Sequence, residues 1–312
     1  ADLFIDCTGF KSLLLEQTLK EPFINMDSIL PNNSTWATKI PYTNKKKQLV
    51  GYTNCTAVEN GWIWNIPLWS RMGSGYVYSD KFISDEDALK EFQKHIGTTE
   101  LEFKKIKFRT GIHQRLWVKN VCAIGLAAGF IEPLESNGLF STHEFIFQLV
   151  RTLQRNSVSQ WDKDAFTAMC KNAHYVFMEF VAMHYSLSHR QDTPYWKDNF
   201  NRQWSEDILN LVPNSYSGFK HAIHDRGIEY RFTNPFAGIH CIAAGMHWSP
   251  TDIPSLIKLN AEPDLEHWKI KWTRAARFLN KRRDLWKRAV KDVPIMYDFL
   301  KEHHYGSSKK KK

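Results

Sequence analysis

The sequence predicts a mixed α/β fold, and three observations support this prediction. Residues 121–126 form a continuous apolar run, which is typical of a strand that is buried on both faces. Residues 36–80 alternate short strand-like segments with turn signals such as Asn60-Gly61, and this pattern predicts an antiparallel meander. Beyond residue 140 the apolar side chains recur at helical spacing, so most of the remaining chain is expected to be helical.

The first half of the chain contains most of the predicted strands. Residues 2–9 are expected to form a buried strand that ends in a glycine turn, followed by a helical stretch to about Leu19. The meander is assigned to strands at 36–42, 49–58, 62–69 and 76–78, with residues 73–75 as a hairpin turn. Ser84 begins a capping-box pattern, which predicts a helix through about His95, and residues 101–108 are expected to form a basic strand.

Residues 117–140 are the segment around which the chain is organised. They indicate a buried strand, a tight turn that holds Glu132, Glu135 and Ser136, and then the start of a helix. The first backbone N–H groups of a helix lack internal partners and favour anions. A glutamate in a sheltered turn beside them can be tuned as a general base or as a partner for a cation. The turn is therefore the strongest candidate for an active site.

The composition is that of an ordinary globular protein of one or two domains. The 312 residues are 43% hydrophobic and 24% charged, with a formal charge of +9. Four of those charges are the lysines at 309–312, which with residues 307 and 308 are expected to form a basic tail. The other lysine cluster, residues 45–47, is expected to lie in a solvated loop. Because these lysines are not interleaved with aromatic residues on one face, a nucleic-acid partner is disfavoured.

Cysteine, histidine and hydropathy patterns argue against several other classes. The five cysteines are scattered, with an odd total and no C-x-x-C, which disfavours a disulfide framework or a zinc site and favours a reducing, cytoplasmic location. His221 and His224 could share a helix face, but no third ligand with suitable spacing follows, so no metal is expected. No signal peptide is recognised, and the longest charge-free apolar run, residues 121–131, is too short to cross a bilayer.

Three motifs resemble those of one enzyme family. Residues 132–136, Glu-Pro-Leu-Glu-Ser, are similar to the E-P-L-E-S segment of flavin-dependent halogenases, the tryptophan halogenase family. A second signature, W-x-W-x-I-P, is matched by Trp62, Trp64, Ile66 and Pro67. Residues 192–196, Asp-Thr-Pro-Tyr-Trp, form a third and weaker match. The first two motifs occur in the family's order and at a comparable separation.

This resemblance implies a partial FAD-dependent monooxygenase-like fold, with an antiparallel substrate sheet and a mostly helical C-terminal part. The expected regions are the end of a flavin-binding unit at 1–20, the sheet at 21–118, a flavin- and halide-facing strand-turn-helix at 119–155, and a helical substrate-covering region at 156–306. No G-x-G-x-x-G occurs in the sequence. We therefore expect the chain to correspond to the C-terminal portion of a halogenase, with the FAD glycine-rich loop and the catalytic lysine outside it.

The resemblance also implies a reaction and its participants. They are FADH2- and O2-dependent halogenation of an aromatic substrate through hypohalous acid, with FAD reduced by a separate flavin reductase. The substrate would be an indole-like or phenolic small molecule, and the second substrate a halide. The region of the family's indole clamp, residues 234–241, offers Ile239 and His240 here, so free tryptophan is a doubtful substrate. These 312 residues alone are expected to be inactive and to retain FAD weakly or not at all.

By motif match, the resemblance assigns each site residue a role. Glu135 would be the catalytic glutamate, with Ser136 beside the substrate, and the backbone amides of Asn137 and Gly138 would bind halide, although the family usually has threonine at the position of Asn137. The W-x-W-x-I-P motif would keep the substrate away from the flavin, and its tryptophans could equally be core residues. Arg109 either neutralises a cofactor phosphate or is a plain surface arginine. The residues expected to contact the cofactor are Gly9, Ile124, Gly125, Leu126 and Leu139.

Two other functions remain open from the sequence. One is a related flavin-dependent aromatic monooxygenase that hydroxylates its substrate, against which the W-x-W-x-I-P motif argues. The other is a non-catalytic basic binding protein that lacks the cofactor half. The first alternative predicts product masses that do not depend on halide, and the second predicts salt-dependent binding that requires the basic tail.

Overall fold

The computed structural model describes residues 1–202, 242, 245, 246 and 265–306, and it confirms the mixed α/β class. The strands, β1 to β11 in chain order, are Phe4–Asp6, Phe23–Asn25, Ser34–Ile40, Asn54–Ala57, Gly61–Pro67, Met72–Tyr78, Lys104–Lys107, Gly111–His113, Trp117–Val118, Val121–Ala123 and Gly129–Phe130. The helices, α1 to α7, are Lys45–Gln48, Asp85–Ile96, Asn137–Leu153, Gln160–Ser186, Pro194–Asn201, Leu265–Ala289 and Met296–His303.

The described strands form three small sheets. In the first, β1 runs parallel to β10, with Phe4 opposite Val121, and β9 adds an antiparallel edge. The second is antiparallel in the order β11-β8-β2. The third has five strands in the order β4-β5-β6-β3-β7 and contains the predicted meander. The first two sheets carry the segments that lead into the E-P-L-E-S turn.

The strand at the start of the chain is predicted correctly, but its burial is not. Phe4 and Ile5 are 45% and 47% exposed, and β1 is the edge strand of its sheet. Only Asp6 is buried, and its carboxylate accepts hydrogen bonds from the backbone N–H groups of Leu14 and Leu15 at 2.9 Å. Burial raises the pKa of Asp6, but its hydrogen bonds outweigh burial and lower the pKa overall. This strand end therefore caps the following helical turns.

The prediction of a hairpin turn at residues 73–75 is wrong. These residues lie inside β6, and the turn falls earlier, where Leu68 and Arg71 exchange backbone hydrogen bonds of 2.9 and 3.2 Å. Glycine does not force a turn here, because it also adopts the extended conformation, and a Cβ atom on Gly73 would make only an ordinary contact, 3.5 Å from the Trp64 ring. The predicted strand at 49–58 is also shorter, because helix α1 precedes it and only Asn54–Ala57 is extended.

The helix predictions within the described residues hold. Ser84 caps α2 by accepting from the Asp87 N–H, and Gly97 ends the helix in the left-handed conformation. Thr193 caps α5, whose first position is Pro194. The helical spacing expected beyond residue 140 is found in α3 and in α4, whose start is a capping box formed by Ser159 and Asp162. The expected basic tail at 307–312 lies outside the described residues.

Residue contacts divide the chain into two compact units. The first comprises residues 1–38, 56–63 and 75–248, and the second comprises residues 39–55, 64–74 and 249–312. The first unit contains an aromatic core cluster around Ile63, Tyr76, Tyr78 and Phe92, together with the whole E-P-L-E-S turn. In the second unit, the Trp69 ring stacks on Tyr305 at 4.5 Å, with the Lys45 ammonium 3.3 Å from the Trp69 centroid.

Replacing Gly111 with alanine is expected to destabilise the sheet that supports the turn. Gly111 has φ +150°, and a Cβ atom there would lie 2.1 Å from the Ile24 carbonyl oxygen across the β8–β2 pair. An alanine at this position would be strained by the positive φ angle and would collide with the backbone of the neighbouring strand. The free energy of unfolding of this chain, measured by urea titration, should therefore fall by about 2–4 kcal/mol. Gly73→Ala is the matched control, because its new methyl group makes only ordinary contacts. Equal losses in both variants would contradict the explanation.

Candidate active site

The E-P-L-E-S turn connects β11 to α3 in a strained conformation. Glu135 and Ser136 both have positive φ angles, +66° and +54°, within the 3-10 turn Leu134–Ser136 and at its junction with α3. Non-glycine residues in this region cost on the order of 1–3 kcal/mol each and persist only where the surroundings hold them. The Ser136 N–H donates to the Pro133 carbonyl at 3.0 Å, which closes the turn. Strain of this kind is common at functional sites.

Asn137 fastens the turn to the first residues of α3. Its side-chain amide is buried and donates to the carbonyl oxygens of Glu132 and Leu134, at 3.2 and 3.0 Å. The N-cap residue, Ser136, makes no side-chain capping bond. The first backbone amides of α3, among them those of Asn137 and Gly138, have no partner within the helix. This end of the helix therefore favours an anion.

Glu132 lies beneath the turn, not at the helix start where the sequence places it. It is fully buried, and it accepts hydrogen bonds from the Tyr185 hydroxyl and, at 2.8 Å, from the Asn32 amide. The Trp62 indole lies close enough to lower the pKa of this carboxyl, although its N–H makes no hydrogen bond of good geometry. Burial nevertheless raises the pKa of Glu132 to about 7. The two family motifs thus meet at this carboxyl group.

Trp62 is buried at this position, with 4% of its surface exposed on β5. This burial is compatible with both interpretations of the motif, as part of the core and as a barrier between substrate and flavin. Trp64, Ile66 and Pro67 continue the same strand and belong to the second compact unit.

Glu135 points away from that buried network and is about 38% exposed at its side chain. Its Oε1 atom lies 3.1 Å from Nε2 of His184, on α4. This contact is the main cause of the lowered pKa of Glu135, because a hydrogen bond to the charged form and the charge of His184 both favour the carboxylate. The two glutamates of the motif are therefore tuned in opposite directions.

A cavity of about 260 Å³ adjoins the turn and brings together five of the predicted site residues. They are Gly125, Leu126, Asn137, Gly138 and Leu139. Gly125 has φ +64°, and Leu126 and Leu139 are exposed, so a flat apolar ring can approach this wall closely. Together with the free helix amides, these residues fit the ring system of a flavin and a small anion.

Gly9 and Ile124 lie near this cavity without lining it. Gly9, with φ +72°, opens a 3-10 turn that packs against the turn at Gly125–Ala127. The Ile124 N–H donates to the Asp6 carbonyl at 3.0 Å, and the Ile124 side chain is buried. Both residues therefore shape the backbone next to the cavity, and neither places a side chain in it.

A second cavity of about 300 Å³ continues from the first one along Leu126, Gly129 and Phe130. Arg109 lies in its wall, where its guanidinium donates to the Glu16 carboxylate at 2.6 Å and stacks 4.1 Å over the Phe23 ring. The charge of Arg109 is thus already paired within the chain, which weakens its assignment as a phosphate ligand.

Sequence reasoning missed the partners that hold the two glutamates. Asn32, Tyr185 and Tyr195 form the buried network, in which the Tyr195 hydroxyl donates to the Asn32 side-chain carbonyl at 3.1 Å. His184 lies on α4, and no sequence motif marks it as a site residue. The sequence separations, 100 residues between Asn32 and Glu132 and 49 between Glu135 and His184, exceed any local pattern. Tyr195 belongs to the third motif, residues 192–196, so this motif match was the one sequence signal that pointed to the buried network.

Some residues considered as site residues from the sequence are not among those that the structure describes. His221, His224 and the substrate-clamp region at 234–241 lie outside them. Within the described residues, no group of three His, Cys, Asp or Glu side chains is arranged to hold a metal ion. None of the helices in that same part of the chain is both long and apolar enough to span a membrane.

The raised pKa of Glu132 predicts a pH dependence of stability. The unfolded chain loses this proton near the ordinary value of 4.5, whereas the folded chain keeps it to about 7. Stability should therefore fall as pH rises from 4.5 to 7, by on the order of 3 kcal/mol from this group, and then level off. Glu132→Gln should lack this component in urea titrations across pH.

His174 makes the comparison with Glu132→Gln necessary. Burial lowers the pKa of His174 to about 3 from 6.5, so this group lowers stability as pH falls through the same window. The difference between the wild type and Glu132→Gln isolates the carboxyl group. A difference that does not change with pH would contradict the assignment.

The strained turn, the start of α3 and the cavity beside them form the candidate active site, and the mixed α/β scaffold around them is similar to solved flavin-dependent halogenases. The chain belongs to the tryptophan halogenase family, whose profile, described as "Tryptophan halogenase", matches residues 1–251.

Relatives and solved structures agree with this membership. Tryptophan 6-halogenase ThaL of Streptomyces albogriseolus is 32% identical over 321 residues, which cover 98% of this chain and 58% of ThaL. The apo structure of VirX1 has a TM-score of 0.82 at 37% identity, over 98% of this chain and 59% of VirX1. Tar14, a tryptophan C-6 flavin-dependent halogenase (chlorinase) from taromycin biosynthesis, has a TM-score of 0.64 at 35% identity. The match covers 68% of this chain and 43% of Tar14. The chain thus spans less than two thirds of these relatives.

Proposed function

We propose that this chain is the substrate- and halide-facing part of an enzyme that halogenates an aromatic compound, indole-like or phenolic, using FADH2 and O2. One observation carries the proposal: Glu135, the free amides at Asn137 and Gly138, and the cavity wall of Gly125, Leu126 and Leu139 belong to one turn and its immediate neighbours. Membership in the tryptophan halogenase family supports it. The roles that the resemblance implies for the regions 1–20, 21–118, 119–155 and 156–306 remain part of this proposal.

FAD would lie along the cavity wall formed by Gly125, Leu126 and Leu139, with Gly9 and Ile124 shaping the backbone behind it. When bound in its reduced form, supplied by a flavin reductase, it provides the activation of O2 that converts halide into hypohalous acid. The amides of Asn137 and Gly138 would hold the halide, because they lack partners within α3 and lie at the positive end of its dipole. We propose a cytoplasmic location for this enzyme, because its scattered cysteines suit a reducing compartment.

Glu135 would act on the aromatic substrate. Hypohalous acid and an aromatic C–H give a C–halogen bond and water, so the ring must lose one proton. Glu135 is suited to orient the reagent or accept that proton, because its lowered pKa keeps it ionised at neutral pH. Ser136, the next residue on the same strained turn, would lie beside the substrate. Trp62 would serve this function indirectly, as part of the packing around Glu132.

Product masses test the proposed function. The protein that contains this chain together with the nucleotide-binding part is supplied with FADH2, O2 and an indole, in chloride or in bromide. The product should gain the mass of chlorine or bromine in place of hydrogen, according to the salt. Addition of one oxygen atom in both salts would instead indicate a hydroxylase. Salt-sensitive binding to an anionic polymer without any product would indicate a non-catalytic basic protein.

A further inference from the structure

The inference concerns the contact between His184 and Glu135. His184 lies near the C-terminal end of α4, one residue before Tyr185, and its side chain is mostly buried at 15% exposure. One ring nitrogen, Nδ1, lies 3.0 Å from the Phe180 carbonyl oxygen, one turn earlier on the helix. The other nitrogen, Nε2, lies 3.1 Å from Oε1 of Glu135. The ring therefore spans the distance between the α4 backbone and the strained turn.

Both neighbours of the imidazole are hydrogen-bond acceptors. A carbonyl oxygen can only accept, so the proton of that contact belongs to Nδ1 of His184. A neutral ring with Nδ1 protonated would turn the lone pair of Nε2 toward a carboxylate oxygen, which is repulsive. The 3.1 Å contact is attractive only if a proton lies between Nε2 and Oε1. The pair must therefore hold one more proton than a neutral imidazole and a carboxylate would.

The surrounding charges place that proton on the histidine. The contact with His184 lowers the pKa of Glu135, so the carboxylic-acid form of Glu135 is disfavoured. Glu132 is a second acidic group near the ring: burial raises its pKa, and the charge of His184 works in the opposite direction. Tyr185, which donates its hydroxyl to Glu132, is the other titratable neighbour, and burial keeps it neutral by raising its pKa. The ring thus lies between two acidic groups.

We propose that His184 is a positioning residue for Glu135: fixed to α4 through Nδ1, it presents a protonated Nε2 that keeps the Glu135 carboxylate ionised and in one orientation on the turn. The catalytic consequence rests on the proposed function of Glu135, whereas the protonated pair itself does not. A hydrogen bond to a charged partner also stabilises a residue that has φ +66°. The turn is thereby held on its exposed side by His184 and on its buried side by Glu132.

The first arm of the test uses this chain alone. Histidine ring nitrogens are ¹⁵N-labelled, and their protonation is read from long-range proton–nitrogen spectra at pH 7, with His184→Asn to assign the signals. His184 should carry protons on both nitrogens in the wild type and on one only in Glu135→Gln. His95, exposed on α2, is the internal control and should not change. A singly protonated His184 in the wild type, or no change in Glu135→Gln, would overturn the inference.

The second arm uses the halogenating protein that contains this chain. His184→Leu removes the donor and should lower kcat for halogenation by about 10- to 100-fold with little change in KM, since a misplaced catalytic group loses rate and not binding. His184→Gln keeps an N–H donor without charge and should recover part of the rate.

The two arms separate the two claims. A Glu135→Gln protein that halogenates normally, with the nitrogen signals as expected, would contradict the proposed function and leave the protonated pair intact. Loss of halogenation in Glu135→Gln, without any response of the His184 signals, would contradict the pair alone. Equal losses of kcat in His184→Leu and His184→Gln would reduce His184 to a packing residue and overturn its positioning role.

Discussion

Replacing Glu135 with glutamine should lower the halogenation rate by about 100-fold or more, while oxidation of the reduced flavin by O2 remains nearly unchanged. Glutamine has the same shape but cannot accept a proton or carry the charge that His184 faces at 3.1 Å. The flavin reaction should continue because Glu135 is not among the residues that line the 260 Å³ cavity. The measurement is the ratio of halogenated product to FADH2 consumed, in the protein that contains this chain and the nucleotide-binding part.

The control for this prediction is Glu86→Gln, the same substitution on the exposed face of α2. It should leave both rates unchanged. If Glu135→Gln lowered flavin oxidation as much as halogenation, its effect would be on folding or on cofactor binding. The role proposed for Glu135 would then be wrong.

Replacing Tyr185 with phenylalanine should cost about 2–3 kcal/mol of unfolding free energy at pH 8, the second large effect that we expect. The Tyr185 hydroxyl donates to Oε1 of the fully buried Glu132, whose pKa is about 7. At pH 8 the substitution removes a hydrogen-bond donor from the ionised, buried carboxylate of Glu132. This loss is costly because hydrogen bonds to charged groups are stronger than those between neutral groups. At pH 5 Glu132 is protonated and the cost should shrink to about 1 kcal/mol. Urea titrations at the two pH values measure both.

Tyr42→Phe provides a matched control for the loss of a hydroxyl group. The Tyr42 hydroxyl donates to the Leu68 carbonyl at 2.8 Å at an exposed site, where water can replace it. Its loss should cost less than about 1 kcal/mol and should not depend on pH. A Tyr185→Phe cost that is the same at pH 5 and pH 8 would show that ionisation of Glu132 is not involved.

Local sequence patterns predicted the elements that carry the site. The apolar run at 121–126 became β10 and the turn that follows it, and the capping residue Ser84 begins a helix where expected. The failures also have local causes. Gly73 and Gly75 read as a turn because glycine is permissive, but both residues are extended inside β6, and the turn lies between Leu68 and Arg71. Phe4 and Ile5 read as buried because apolar composition does not reveal that β1 is an edge strand.

The sequence by itself determined the class of the fold, the family and the identity of the turn that we propose as the active site. Only the tertiary structure decided the environment of each glutamate in that turn. Glu132 and Glu135 are three residues apart and chemically identical, so no local pattern predicts their opposite pKa shifts. Folding buries Glu132 among Tyr185 and Asn32 and places Glu135 against His184. Desolvation raises one pKa and a cationic partner lowers the other, because ionisation depends on neighbours that are distant in sequence.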